Sequence, residues 1–398
     1  MNDLASETES HKQGRRLRMG IIATEFPPMV GGMEQHAFGL ANALAEIDEI
    51  CVFTHVRNAE AVKLCNFPIK PVLEGNIYAD VKSLMSESVD LWLTLNAGYS
   101  VLANHLSSPV FAYCHGNDFL NPWIGLAWLD DIILKRINRT PYLWRFTPLI
   151  ANKLNYQRLF SGLSKSRAVF VNSHFTQKTL LKKFPQLKQP ITVSNPGVND
   201  HFFENFSQSN LNSQLSSNKT LRLLTIARLA TSAPKKNVDN IIRAIAILEK
   251  EIPINWQVAG DGNRREELEA LARSYGIDHC SCFLGNIPNS EIPKLLDEAE
   301  LFVLPSVESF GIVYAEAAAR GVPSLMSRMG GATDAVENGQ TGIIIDGASP
   351  ENIADAIRHF WENRDQFNSD DIRTFADQFR WSNIATRMRQ VIIDHLDA

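Results

Sequence analysis

A chain of 398 residues is longer than one ordinary hydrophobic core supports, so two or three domains are expected. Hydrophobic residues at 44% and charged residues at 21% describe a globular protein, and a net charge of -5 excludes a general electrostatic pull toward nucleic acid. No stretch approaches the roughly 20 consecutive apolar residues that cross a bilayer.

In chain order, residues 1–18, "MNDLASETESHKQGRRLR", are polar without an apolar run and read as a disordered tail, not a secretory signal. A cytoplasmic location is therefore expected. The cysteines (Cys51, Cys65, Cys114, Cys280, Cys282) lack zinc-ligand spacing, and Cys280 and Cys282 read as reduced packing residues in a strand. "MGIIAT", "ICVFT", "DLWLTL", "PVFAYC" and "RAVFVN" are apolar at consecutive positions, the pattern of parallel strands covered on both faces. "GGMEQHAFGLANALAEI" has helical period. The Ser- and Asn-rich stretch ending near Thr220 marks a linker at 196–220. Beyond it "LRLLTIA", "INWQVAG", "CFLG", "ELFVLP", "VPSLM" and "GIIID" repeat the strand pattern, each followed by a turn and a helical period. The expected fold class is α/β: two doubly wound Rossmann-like domains facing across a cleft, with ligands outside the carboxyl ends of the strands. The boundaries expected are 19–195 for the first domain, 221–375 for the second, and 376–398 for a helix crossing back to the first.

Several stretches carry candidate chemistry. In "LPSVESFGIVYAEAAARGVPS" a strand leads into a helix with Ser309 as its cap, Glu308 in the loop ahead and Glu316 about two turns inside. Eight residues of helix rise span about 12 Å, which suits carboxylates gripping opposite ends of an extended ligand. Free N–H groups at Phe310 and Gly311 favour an anion between them. The plainer alternative is two surface glutamates. "EFPPMVGGMEQH" places Gly31 and Gly32 at a helix opening, where backbone can approach a phosphate, or can simply turn. In "TIARLATSAPKKNVDNIIRAI", Arg228 ends a strand and Lys235 and Lys236 precede a helix; such cations neutralise a diphosphate or form a solvated charge run. "YCHGNDF" sets His115 and Asp118 after a buried strand, with His115 as a proton carrier, hydrogen-bond donor or structural residue. "VAGDGNRREEL" lacks the third glycine of a dinucleotide fingerprint, Arg265 standing in its place, which excludes a dehydrogenase reading. Residues 119–167 combine Lys135, Arg136, Arg139, Arg145, Lys153, Arg158, Lys165 and Arg167 with Trp123, Trp128 and Trp144, the composition of a peripheral membrane contact, a large-acceptor surface, or a helical insertion with aromatics in its core.

Jointly these stretches resemble the family-4 retaining glycosyltransferases of the GT-B fold. The resemblance runs from about Met19 to "FRWSNIATRMRQVI" and is strongest over Leu221 to Asp346, where "ARLA…KKNVDNIIRA", "VAGDGNRREELEALA", the Glu308–Glu316 element and "GGATDAVENGQTGIIID" follow the family pattern in order. It implies that the first domain is the acceptor side and the second binds a nucleotide sugar. Glu316 would hold the ribose hydroxyls, and Glu308 the hydroxyls of the transferred sugar, with the Phe310 and Gly311 amides nearby. Arg228 and Lys236 match the diphosphate-binding pair, Gly31 and Gly32 the N-terminal glycine loop, and His115 a histidine near the reacting sugar carbon. The sequence departs at Asn237, where glycine is usual after the matched lysine, and at Asp334, where glutamate is commoner. The longer loop before Lys236 leaves Lys235 as an alternative ligand.

The expected reaction is retaining transfer of a hexosyl group from a UDP- or GDP-linked donor to an acceptor hydroxyl, in polysaccharide or glycolipid biosynthesis. No cofactor and no metal are expected, because Arg228, Lys236 and helix N-termini meet the leaving diphosphate. The expected partners are the nucleotide sugar and a saccharide or lipid-linked acceptor, with peripheral contact at the inner membrane face through residues 119–167 and no nucleic acid. The rival readings are a sugar-nucleotide epimerase on a similar fold and a non-catalytic nucleotide-binding scaffold.

Overall fold

The computed structural model describes residues 15–27, 31–120, 147–204, 220–231 and 236–397. The chain forms two compact units: Met1–Gly197 together with Trp381–Ala398, and Val198–Arg380.

The first unit is built on seven parallel strands: β1 (Arg18–Ala23), β2 (Glu49–His55), β3 (Ile69–Leu73), β4 (Leu91–Thr94), β5 (Val110–Cys114), β6 (Val169–Val171) and β7 (Ile191–Val193). Their order is β3-β2-β1-β4-β5-β6-β7. The order reverses between β1 and β4, which opens a crevice at the carboxyl ends of those two strands. The connecting helices are α1 (Gly32–Ile47), α2 (Ile77–Leu84), α3 (Asn117–Leu120), α4 (Thr147–Lys165) and α5 (His174–Lys183), with a 3-10 stretch at Ala97–Asn104. The five strands marked by consecutive apolar residues are the inner five. The two that pattern does not mark, β3 and β7, are the edges; β3 carries Lys70 and Pro71, and β7 is half-buried throughout. An edge strand buries less and needs no continuous apolar run, and it tolerates a proline.

Residues 15–18 correct the expected tail. Leu17 is buried, its N–H donates to Asp48 Oδ1 at 2.8 Å, and Arg18 already belongs to β1. Asp48 is buried in turn and its other oxygen accepts from Arg389 Nε at 2.7 Å. That bond fastens the closing helix, α12 (Trp381–Leu396), to the first unit. The Trp381 indole lies against two glycines, where an added Cβ would stand 2.2 Å (Gly39) and 2.3 Å (Gly197) from ring atoms. Both positions are glycine because the indole occupies the space a side chain would need.

The second unit has six parallel strands: β8 (Leu221–Ile226), β9 (Ile254–Ala259), β10 (Ser281–Gly285), β11 (Leu301–Val303), β12 (Ser324–Ser327) and β13 (Gly342–Ile345). Their order is β10-β9-β8-β11-β12-β13, so the switch falls between β8 and β11. Its helices are α6 (Val238–Leu248), α7 (Arg265–Ser274), α8 (Ile292–Glu298), α9 (Ile312–Ala319), α10 (Pro350–Glu362) and α11 (Ser369–Ala376).

The expected linker is corrected over 198–204. Val198 and Phe202 are fully buried in the second core, and Arg320 donates to the Phe202 carbonyl at 3.2 Å and the Glu204 carbonyl at 2.7 Å. The Arg320 guanidinium is held by Asp297 at 2.6 Å and 2.7 Å, so this short apolar segment is anchored as part of the unit. The rest of the expected linker lies outside the described residues. Residues 376–380 also belong to the second unit, and the crossing helix begins at Trp381 rather than at 376. Cys280 is half-buried, but Cys282 is exposed on the edge strand β10, so it is not a packing residue.

Candidate active site

In the second unit the candidate residues gather beyond β8 and β11, the pair at the switch. Arg228 follows β8 on a loop that the β9 exit supports from beneath: Leu229 N–H donates to the Asp261 carbonyl at 2.9 Å and Arg264 N–H to the Leu229 carbonyl at 2.8 Å. Gly260 and Gly262 have φ of 137° and 152°, and an added Cβ would lie 1.9 Å and 2.2 Å from the Ala227 and Leu229 carbonyl oxygens. These glycines therefore let two loops pass each other, which accounts for the incomplete dinucleotide pattern. Arg228 is exposed and has no hydrogen-bond or ion-pair partner among the described residues.

Lys236 opens the turn into α6, and Asn237 is the only described non-glycine residue with positive φ, at 54°. Asparagine is among the few side chains that adopt this left-handed conformation at small cost, so it fills the place of the usual glycine. Its amide also donates to the Pro305 carbonyl at 2.6 Å, tying this turn to the end of β11. Lys235 lies outside the described residues.

Beyond β11, Glu308 is held from both sides. Its backbone bridges to Gly330, and its carbonyl accepts from Gly331 N–H at 2.6 Å. Gly330 has φ 102°, and a Cβ there would sit 2.4 Å from the Glu308 oxygen. The Glu308 carboxylate pairs with the Lys236 ammonium and accepts from Ser306 Oγ at 2.7 Å. Ser306 is fully buried and lies 3.1 Å from Tyr314 Oη, whose hydroxyl donates to the Leu304 carbonyl. A chain of hydrogen bonds thus runs from Lys236 through Glu308 into the first turn of α9.

The helix start differs from the expectation. The N-cap of α9 is Gly311, in the left-handed region at φ 83°, and not Ser309. A Cβ on Gly311 would be 2.5 Å from the Tyr314 ring, so the site excludes other residues for two reasons. Phe310 is buried against Phe379 ahead of the helix. Glu316 is consequently just over one turn inside, and only about 6 Å of helix rise precedes it. Glu308 lies off the helix on its bridge to Gly330, so the 12 Å estimate does not apply. Glu316 is 7% exposed and has no side-chain partner among the described residues. Burial pushes its carboxyl up from 4.5 to about 7.

In the first unit, Gly31 caps α1 with extended backbone, and Gly32 opens the helix with no atom within 4 Å of an added Cβ. Among the described residues nothing fills the space over Gly32. Residues 28–30 between them and β1 lie outside the described residues. His115 follows β5 and is 8% exposed. Burial lowers its pKa, while Asp118 and a hydrogen bond to the Leu95 backbone act the other way. Asp118 accepts from the N–H groups of His115, Gly116 and Ala97, each at 2.9 Å. It therefore shapes the loop, with Gly116 at φ 109° as the bend.

Two residues were not found from the sequence. His36, on α1, is 1% exposed, both ring nitrogens lack partners among the described residues, and its ring lies 4.9 Å from that of His115. A histidine in the inward stripe with Ala37, Leu40, Ala41 and Leu44 was the available signal. Glu25, just beyond β1, is half-buried, its Oε2 has no partner among the described residues, and burial followed by Glu34 and Asp118 raises its pKa. Of the basic segment 119–167, residues 121–146 with all three tryptophans lie outside the described residues. No described helix is long and apolar enough to cross a membrane.

Comparison with known proteins follows this division. The model of the family described as glycosyl transferases group 1 matches residues 207–374. An uncharacterized glycosyltransferase of Methanocaldococcus jannaschii is 25% identical over 93% of this chain and 96% of its own length. A GDP-mannose-dependent alpha-(1-6)-phosphatidylinositol monomannoside mannosyltransferase of Mycobacterium tuberculosis is 28% identical over 41% of this chain and 46% of its own. Among solved structures, Anabaena HepE in complex with UDP superposes with a TM-score of 0.71 at 18% identity, covering 95% of this chain and 100% of that one. Over residues 207–374 the chain is thus similar to the glycosyl transferases of group 1, and its two parallel-sheet units have the GT-B fold.

Proposed function

We propose that the protein is a retaining hexosyltransferase of family 4 that takes a UDP- or GDP-linked donor. The observation that carries this reading is the meeting of Lys236 and Glu308 beyond the two switch strands, with Arg228 at the end of β8 and a buried Glu316 in α9 that both lack partners among the described residues. A diphosphate placed there meets two cations, the ribose hydroxyls donate to Glu316, and Glu308 accepts from sugar hydroxyls. The mycobacterial relative named for GDP-mannose and the neighbour bound to UDP both accord with a nucleotide donor.

In the proposed reaction an acceptor oxygen bonds to the anomeric carbon as the bond to the diphosphate oxygen breaks. The acceptor proton passes to the departing phosphate on the same face, which retains the configuration. Arg228, Lys236 and the amides near Gly311 stabilise the negative charge that develops on the leaving group. Glu308 is engaged by Lys236 and Ser306, which fits an orienting role better than that of a covalent nucleophile. In the first unit, His115, whose pKa burial lowers, would act as a hydrogen-bond donor to substrate, and Gly32 would allow close backbone approach. Incubating the protein with UDP- or GDP-hexoses, with and without saccharide acceptors, tests the reading: anomeric proton signals of a retained linkage are expected only with acceptor. Donor conversion without acceptor would identify an epimerase, and nucleotide binding without turnover a scaffold.

Peripheral membrane contact is part of the proposal. The contact proposed is through residues 119–167; no acidic residue occurs between Asp131 and Asp200, and past that segment the outer face of α5 interleaves exposed Phe175 and Leu181 with Lys178 and Lys182. Such a face binds anionic lipid through both charge and apolar contact. Sedimentation with anionic vesicles at low salt, reversed at high salt, is expected; failure to sediment removes this part alone.

A further inference from the structure

The first unit contains a cavity that the donor site does not use. It has a volume of about 270 Å³ and lies where α4 packs against the 3-10 stretch Ala97–Asn104, near the start of α2. That position is at the carboxyl ends of β3 and β4. Its walls are apolar where Ile77, Val101 and Leu159 meet, with Leu154 at the rim, 43% exposed. Its polar lining comprises Arg158, Asn155 and Asn104 together with His105, Gln157 and Ser161, and none of its lining residues is acidic.

Arg158, Asn155 and Asn104 are short of partners among the described residues. Arg158 is half-buried and makes no hydrogen bond or ion pair among the described residues. Asn155 is 9% exposed, and its amide likewise has no partner among them. The Asn104 oxygen accepts from Ser161 Oγ at 2.9 Å, which leaves its amide N–H groups to the cavity. A cation and amides at the mouth of an apolar recess offer donors to whatever enters it. The guanidinium fork matches an oxyanion, and the walls match a hydrocarbon stem. The stretch Ala97–Asn104 that forms one wall is also fixed to the His115 loop, because Ala97 N–H donates to Asp118.

We infer that this cavity binds the anionic end of an amphiphilic acceptor: a phosphate ester or carboxylate carried on an apolar stem. The inference rests on the transferase reading only in calling that ligand an acceptor. Arg158 pairs with the oxyanion, Asn155 and Asn104 donate to its remaining oxygens, and Ile77, Val101 and Leu159 enclose the first carbons of the stem.

The test uses octyl phosphate, octanoate, neutral octyl glucoside and inorganic phosphate, titrated by calorimetry into the full chain and into Arg158→Gln and Leu154→Glu. Saturable binding of octyl phosphate or octanoate is expected, with the tighter of the two identifying phosphate or carboxylate as the group recognised. Both variants should bind at least tenfold more weakly, the first by losing the cation and the second by placing a carboxylate at the rim. Inorganic phosphate binding as tightly as octyl phosphate would overturn the role of the apolar walls, and so the inference. Octyl glucoside binding equally well, or Arg158→Gln binding like the unaltered chain, would also overturn it. UDP and GDP are titrated in parallel. Both variants should keep the nucleotide binding of the unaltered chain, which shows that they are folded. Absence of nucleotide binding in the unaltered chain would count against the donor site and leave the octyl titrations to decide this one.

Discussion

Lys236→Met is expected to lower kcat/KM for sugar transfer by about 10²–10³, the usual effect of removing one fixed donor to a developing oxyanion. Two losses combine in this variant. The diphosphate forfeits one of its two side-chain cations, and Glu308 forfeits its ion-pair partner while still bonded to Ser306. A carboxylate freed from Lys236 then stands beside the entering diphosphate as an uncompensated like charge. The loss should therefore appear in nucleotide binding as well as in turnover. Side-chain exposure at Lys236 is 26%, so the substitution opens no core cavity, and thermal unfolding without ligand should change little. Steady-state kinetics with a titration of UDP and GDP measure both effects. A kcat/KM within threefold of the unaltered chain would remove Lys236 from the site and leave Lys235 as the ligand.

Glu316→Gln should stabilise the protein while weakening nucleotide binding. The Glu316 carboxyl has a pKa of about 7 in the folded chain against 4.5 ordinarily, because burial disfavours its charged form. Between those values the folded state holds a proton that the unfolded state has released. Wild-type stability therefore falls as pH rises from 4.5 to 7 and levels off above. The full cost is about 3 kcal/mol at 1.36 kcal/mol per pH unit. Glutamine never ionises, so its advantage should be near zero at pH 4.5 and approach that figure at pH 8. In the same variant UDP or GDP should bind about 10–100-fold more weakly, since hydrogen bonds to a charged group are worth about 1.5–3 kcal/mol. Urea denaturation across this pH range, paired with nucleotide titration, reads both quantities. Parallel stability curves for the two proteins would mean that Glu316 is not strained by burial. Unchanged affinity would mean that it does not touch the ribose.

Much of this architecture was legible before any coordinates. Inner parallel strands are covered on both faces and advertise themselves as unbroken apolar runs, which is why β1, β2, β4, β5, β6, β8, β9, β11 and β12 are legible; the edges β10 and β13 are legible because "CFLG" and "GIIID" are apolar runs too. The edges β3 and β7 carry no such signature, because half of each is exposed. Lys236 and Glu308 lie 72 residues apart and meet because β8 and β11 are neighbours at the switch, a topology that the order of motifs implied. What the sequence misjudged was local. Ser309 resembled a cap, but the left-handed backbone at Gly311 moved the helix start two residues on and brought Glu316 nearer its end. Val198 and Phe202 border a polar stretch and so passed for linker, although two fully buried apolar side chains had to pack somewhere. His36 and Glu25 escaped because each is a lone polar residue inside an otherwise apolar pattern, and only three-dimensional contacts reveal that their atoms lack partners among the described residues.

The central claim is that the carboxyl ends of β8 and β11 form a nucleotide diphosphate site. A crystal structure with UDP or GDP bound tests it most directly. The account requires the diphosphate within hydrogen-bond distance of Arg228 and Lys236, with the ribose hydroxyls on the Glu316 carboxylate. A nucleotide bound elsewhere, leaving the Lys236–Glu308 pair and the Glu316 carboxyl untouched, would contradict it.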